Sequence, residues 1–141
     1  RLEGYRRKSG HTFWVLERKE DGGHLSSEML GFCGLKRANV EGTPVCDLVE
    51  EGWRMREDAW GHGYAKEAAI ASLDLAFDRF DAEQVIALTV DGNSASWGLM
   101  RRLGMTRRED LDYVDDNWPA EFNPTIVHLI TAQEWAQRRN G

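Results

Sequence analysis

Along the first third of the chain, short apolar runs are separated by polar and glycine-rich breaks; further on, the apolar step lengthens to three and four residues. Phe13 to Arg18 is aromatic and β-branched and ends at Lys19-Glu20-Asp21-Gly22-Gly23, which predicts a strand and a turn. A second strand is expected from Met29 to Lys36, then a loop through Asn39 to Pro44, then a third strand from about Val45 to Met55. Short loops between these three make an antiparallel meander the most economical arrangement. From Tyr64 to Phe80 the residues Ala65, Ala69, Leu73, Ala76, Phe77 and Phe80 fall on one helical face, with Lys66, Glu67, Asp74, Asp78 and Arg79 on the other. Val85 to Val90 reads as a fourth strand, broken by Asp91-Gly92.

Ser94 to Leu103 predicts a second helix, with Asn93 or Ser94 as its cap and Gly104 closing it after Arg101-Arg102. Thr125 to Thr131 is a late strand, and Thr131-Ala132-Gln133-Glu134 opens a short terminal helix with a capping-box pattern. The strand-helix-strand unit between Trp53 and Val90 implies a parallel pair with a right-handed crossover. The expected fold class is therefore α/β (α+β), with a mixed, mostly antiparallel central sheet flanked by helices.

Composition narrows the function classes. The 141 residues suit one domain, and the net charge of −6 argues against a nucleic-acid surface, which would carry a basic stripe. That charge is compatible with cationic acceptors such as amines, although a solvated acidic surface is the plainer reading. No apolar run approaches the ~18 residues of a membrane span. Cys33 and Cys46 each sit in an apolar run, which points to buried free thiols and a reducing, cytoplasmic setting. The histidines His11, His24, His62 and His128 lie far apart with no ligand spacing, so no metal site is expected.

Candidate chemistry centres on Trp60-Gly61-His62-Gly63-Tyr64-Ala65. A Gly-x-Gly turn between a strand and a helix lets the backbone approach a ligand closely and aims the helix's first amides at an anion such as a pyrophosphate. A tight turn without a ligand accounts for the glycines equally well. The dinucleotide fingerprint does not fit, because Lys66-Glu67 occupy the region of its third glycine.

The stretch from Glu50 to Ala68, together with Asn93-Ser94-Ala95-Ser96, Met100-Arg101-Arg102-Leu103-Gly104-Met105, His128-Leu129-Ile130 and Glu134-Trp135, resembles the GNAT N-acetyltransferase superfamily. Within it the chain is similar to the branch of ribosomal-protein N-terminal acetyltransferases, the RimJ/RimL-like proteins. The resemblance covers roughly residues 13 to 135 and implies acetyl-CoA as co-substrate. It also implies a pyrophosphate held by amides from Gly61 to Ala65, with Trp60, His62 and Tyr64 in the same loop. Trp60 stands where the superfamily motif has Arg or Gln. The strand end Trp53-Arg54-Met55 would pair with the pantetheine arm, and Asn93 would contact it from the second helix.

Acetyl transfer to an amine needs a neutral nucleophile, a stabilised oxyanion and a proton for the departing thiolate. The two-residue strand period puts Glu50, Gly52 and Arg54 on one face and Glu51, Trp53 and Met55 on the other, so only one of the adjacent glutamates is expected to face a cleft. The resemblance makes Glu50 the candidate base; a salt-bridged strand carboxylate is the competing reading. Met100 stands where many superfamily members have a Tyr acid, and the branch's alternative is Ser96. Trp118 is a candidate for lining the acceptor side.

The family implies direct transfer without a metal or a covalent enzyme intermediate, to a protein N-terminus, a polyamine or another small amine. A non-catalytic acyl-CoA-binding sensor is the alternative. Family members open with a strand and two helices not seen here, so residues 1–141 are expected to be a single domain truncated at its N-terminus. Arg1 to Ser9 would be the tail of the second such helix, and Phe13 to Arg18 an unprotected sheet edge. A homodimer is compatible with this reading.

Overall fold

A computed structural model describes residues 13–17, 19–20, 22–38, 41–61 and 63–140. Arg1 to Ser9, Arg18 and His62 lie outside the described residues. The strands are β1 (Phe13–Glu17), β2 (Met29–Arg37), β3 (Val49–Met55), β4 (Gln84–Val90), β5 (Thr106–Arg107) and β6 (Thr125–Thr131). The helices are α1 (Tyr64–Asp78), α2 (Ser94–Arg102) and α3 (Ala132–Asn140). One sheet contains all six strands, in the order β1-β2-β3-β4-β6-β5.

The expected meander is present: β1 and β3 both pair antiparallel with β2. The expected parallel pair is β3 with β4, and it is made at a single register point, Glu50 opposite Ile86. Beyond that point the two strands share no ladder. β4 then pairs along its full length with antiparallel β6. The sheet is thus continuous at one end and parted at the other, which opens a cleft between the C-terminal ends of β3 and β4.

The third strand begins later than its apolar pattern suggests. Val45 to Leu48 form a turn in which Leu48 N–H bonds to Val45 O at 3.0 Å and Asp47 takes a φ of 68°. Val45 is fully buried because the turn folds it over the sheet against Ala38, Ile86, Val127 and Leu129, not because it lies in a strand. The larger core lies on the opposite face, where Leu35, Ala69, Leu73, Val85, Leu99, Met100 and Trp135 join β2 and β4 to all three helices. Each fully buried Leu there contributes about 1.5–3 kcal/mol relative to exposure. The helices therefore lie together on one face.

Helix ends follow local chemistry. Asn93 caps α2, its Oδ1 accepting the Ser96 amide at 3.3 Å. Gly104 closes it with φ 92°, with Met105 N–H bonded to Met100 O and Gly104 N–H to Arg101 O, the paired bonds of a Schellman ending. At α3, Thr131 Oγ1 accepts the Glu134 amide at 3.1 Å while Glu134 Oε1 accepts the Thr131 amide at 2.9 Å, the reciprocal capping box. Trp135 Nε1–H then donates to Asp74, pinning α3 to α1.

Candidate active site

Where β3 and β4 part, a cleft of ≈ 1240 Å³ runs in from the N-terminal end of α1. Its walls bring together Glu50, Trp53, Arg54, Met55, Trp60, Gly61, Gly63, Tyr64, Ala65, Asn93 and Ser96. Those are the coenzyme and catalytic residues expected from the sequence, apart from His62, which lies outside the described residues.

The mouth of the cleft is the glycine turn. Gly61 and Gly63 both have φ 79°, the left-handed region, and a β-carbon on either would meet nothing within 4 Å. The space in front of the loop is open. The first intrahelical bond of α1 runs from Glu67 N–H to Gly63 O at 3.0 Å, and the amides of Gly61, Gly63 and Ala65 have no hydrogen-bond acceptor among the described residues. Left-handed glycines before a helix turn successive N–H groups to one side, where they and the helix dipole favour an anion. Trp60 anchors this turn: its Nε1–H donates to Met55 O at 3.1 Å, tying the loop to the end of β3. Tyr64 holds the other flank, its hydroxyl 3.2 Å from His24 O and 3.0 Å from His24 Nδ1. Arg56 steadies the 3-10 turn Glu57–Ala59 through Asp58 and Glu28.

At the apex, Glu50 and Glu51 point to opposite faces of β3; both residues border the cleft, but the Glu51 carboxyl oxygens are closed off from it. Glu50 is half-buried opposite Lys36, and burial raises its carboxyl above the usual range while Lys36 works against that shift. Glu51 is 1% exposed, with neither carboxyl oxygen hydrogen-bonded among the described residues. Burial pushes its carboxyl well above the usual range. Residue adjacency was the available signal for Glu51; the depth of its burial was not in the sequence.

On the α2 wall, Ser96 is half-buried and Met100 is buried. Cys33 lies on β2 beside Trp53 of β3, with its Sγ 3.4 Å from Ser72 Oγ, and burial pushes the thiol up to about 12, so it is no nucleophile at neutral pH. Trp118 is 61% exposed, packs edge-on to Phe122 and is not among the residues lining the cleft. No helix of the described residues is long and apolar enough to cross a membrane.

Known proteins are similar to this chain in sequence and in fold. A family model described as an acetyltransferase (GNAT) domain matches residues 1–106. The uncharacterized protein YkkB of Bacillus subtilis is 34% identical over 96 residues, covering 68% of this chain and 51% of that protein. The FsC-acetyl coenzyme A-N(2)-transacetylase of Aspergillus fumigatus is 33% identical over 90 residues, covering 63% of this chain and 38% of that protein. The chain thus spans about half the length of the first relative and less of the second. Among solved structures, an acetyltransferase from Agrobacterium tumefaciens superposes with a TM-score of 0.64 at 24% identity, over 90% of this chain and 64% of that one. A variant of the spermidine N-acetyltransferase SpeG from Vibrio cholerae superposes with a TM-score of 0.71 at 14% identity, over 98% of this chain and 78% of that one. These two are likenesses of fold.

Proposed function

The chain belongs to the GNAT acetyltransferase family, and we propose that it transfers an acetyl group from acetyl-CoA directly to a primary amine, in the cytoplasm, within the RimJ/RimL-like branch. The observation that carries this reading is the parted sheet with unpaired amides at its mouth. The turn from Gly61 to Ala65 takes the diphosphate, with the amides of Gly61, Gly63 and Ala65 open to it. The strand edge Trp53-Arg54-Met55, which has no ladder partner on its β4 side, lines the arm that bears the thioester. Over the four steps from Met55 to Glu51 a strand spans about 13 Å, which sets the reacting carbon near the apex. When bound, acetyl-CoA supplies the activated acyl group.

The chain's own residues then handle binding and protons. Asn93 uses its side-chain oxygen on the helix cap and keeps its NH2 group for the pantetheine amides. Glu50, whose carboxyl burial raises above the usual range, takes a proton from the attacking amine, directly or through water. Ser96 offers its hydroxyl to the departing sulfur. The amine is a protein N-terminus or a small molecule such as a polyamine. A second reading, an acyl-CoA-binding module without turnover, draws on Met100, a side chain with no proton to give on the α2 wall.

Thiol release from acetyl-CoA, measured across a panel of N-terminal peptides, polyamines and small amines, separates the two. The transferase reading expects saturable release with at least one acceptor, and a Glu50→Gln variant slower by roughly 10²-fold. Binding of acetyl-CoA without release for any amine favours the second reading.

A further inference from the structure

Among the described residues lining the cleft, the cations Lys36, Arg54, Lys66 and Arg102 stand against Glu50 and the sealed Glu51. A chain whose net charge is −6 thus lines its cleft mainly with positive groups. Lys66 and Arg102 belong to α1 and α2, on the helix side. Lys36 and Arg54 belong to the other side. The register sets Lys36 opposite Glu50, Gly34 opposite Gly52 and Phe32 opposite Arg54, and the two-residue period puts all six on one face. Directly opposed β-carbons stand about 4.5–5.5 Å apart, so Lys36 is within reach of whatever Glu50 touches. Arg54 lies about 13 Å further along the strand. The two glycines between them carry no side chain, so the strands leave a trough with Glu50 and Lys36 at one end and Arg54 and Phe32 at the other. Phe32 is 43% exposed and gives that trough an apolar flank. On the surface Arg56, Arg107, Arg108 and Arg139 are each paired with a carboxylate. Lys36 and Arg54 have neither an ion pair nor a hydrogen bond among the described residues; Lys36 acts on Glu50 through its field alone.

We propose that Lys36 and Arg54 are specificity-determining residues, which select an acceptor amine bearing an anionic group, a carboxylate or a phosphate, over a polyamine. This rests on the acetyl-transfer reading and narrows its acceptor. The amine nitrogen meets Glu50, and an acid group close to that nitrogen meets the Lys36 ammonium. An acid group on a longer arm meets Arg54, whose planar fork takes a carboxylate or phosphate through two parallel hydrogen bonds. A polyamine, or a peptide with an early lysine, would bring its further positive charge against both cations, with Glu50 alone to offset them. Like charges brought together in a partly buried site cost affinity, and opposite charges gain it.

Acetyl transfer measured as kcat/KM across acceptors matched except for charge tests this. The acceptors are peptides beginning with Glu, Gln or Lys, γ-aminobutyrate beside its amide, phosphoethanolamine beside ethanolamine, and spermidine. The proteins are the wild type, K36M, R54M and the double variant. The wild type should favour at least one acid-bearing amine over its uncharged match by roughly tenfold or more, the worth of one charge-assisted hydrogen bond. Which pair shows the preference tells a peptide acceptor from a small carboxylate or a phosphate. The preference should shrink in each single variant that touches the acid and disappear in the double variant. Loss of Lys36 also removes its field from Glu50 and slows every acceptor alike, so the ratio between matched acceptors is the readout and not the rate. A wild type that prefers spermidine or the Lys peptide, or that shows no preference, overturns the proposal while leaving the transferase reading in place; this arm needs no variant to fold. A preference that survives in the folded double variant overturns it too, as does acetyl-CoA affinity lost in the variants with the acceptor ratio kept, which would give the cations to the coenzyme. A wild type that releases no thiol with any amine overturns the transferase reading and this one with it.

Discussion

Between Glu50 and Glu51 the backbone advances by a single residue, yet one carboxyl faces Lys36 and the other has no hydrogen-bond partner among the described residues. That difference is a prediction about stability. Burial raises the folded-state pKa of Glu51 above its unfolded value, so between the ordinary carboxylate range and the folded pKa the unfolded chain is ionised while the folded one stays protonated. The unfolded state then binds fewer protons, and stability falls as pH climbs through that window. E51Q removes this slope. Urea melts should find its stability relative to wild type greater at pH 8 than at pH 5, by about 1.4 kcal/mol for each pH unit of that climb lying between the unfolded and folded pKa values of Glu51, with the gap narrowing toward pH 5. A gap that is constant or widens toward acid contradicts the assignment. The sequence carried the opposed faces of the pair through the two-residue strand period. It did not carry which carboxyl would be sealed, because that depends on where β3 parts from β4, at the long-range contact between Glu50 and Ile86.

Among the elements, those set by local chemistry were legible. The Asn93 cap, the Gly104 ending and the Thr131–Glu134 box all involve residues within a few positions of each other, and each is built as the sequence expects. The start of β3 was not legible, since Val45 is apolar for the sake of a turn that plugs the second core. Two-residue β5 was missed because so short a run has no periodicity to read. The glycine turn gives the clearest test at this scale. Replacing Gly63 by Val places a branched side chain at φ 79°, a left-handed position costing roughly 1–2 kcal/mol, but into open space. The fold should survive, with circular dichroism unchanged and a modestly lower thermal midpoint. Acetyl-CoA affinity should drop by roughly tenfold or more, since about 1.4 kcal/mol of lost amide contact is a factor of ten. Unchanged affinity in a folded Gly63→Val protein would remove the turn from the site.

For the whole molecule, the meander, the parallel pair and the helix order were readable, whereas the final sheet order was not. β6 inserts between β4 and β5, a placement set by the fit of Val127 and Leu129 beside Ile86 and not by any local signal. This insertion leaves β4 paired on its far side and free on its near side beyond Ile86, so the cleft is a consequence of topology. The glycine turn and both glutamates come to it from separate segments, and every expected coenzyme or catalytic residue that is described lies on its walls. The central claim is that the amides of residues 61 to 65 grip a diphosphate. Calorimetric titration of the chain with acetyl-CoA and with S-acetylpantetheine, which lacks the diphosphate and nucleotide, tests it most directly. The account predicts saturable binding of acetyl-CoA and binding weaker by at least roughly tenfold for the truncated thioester; equal affinities, or no saturable binding of acetyl-CoA, would contradict it.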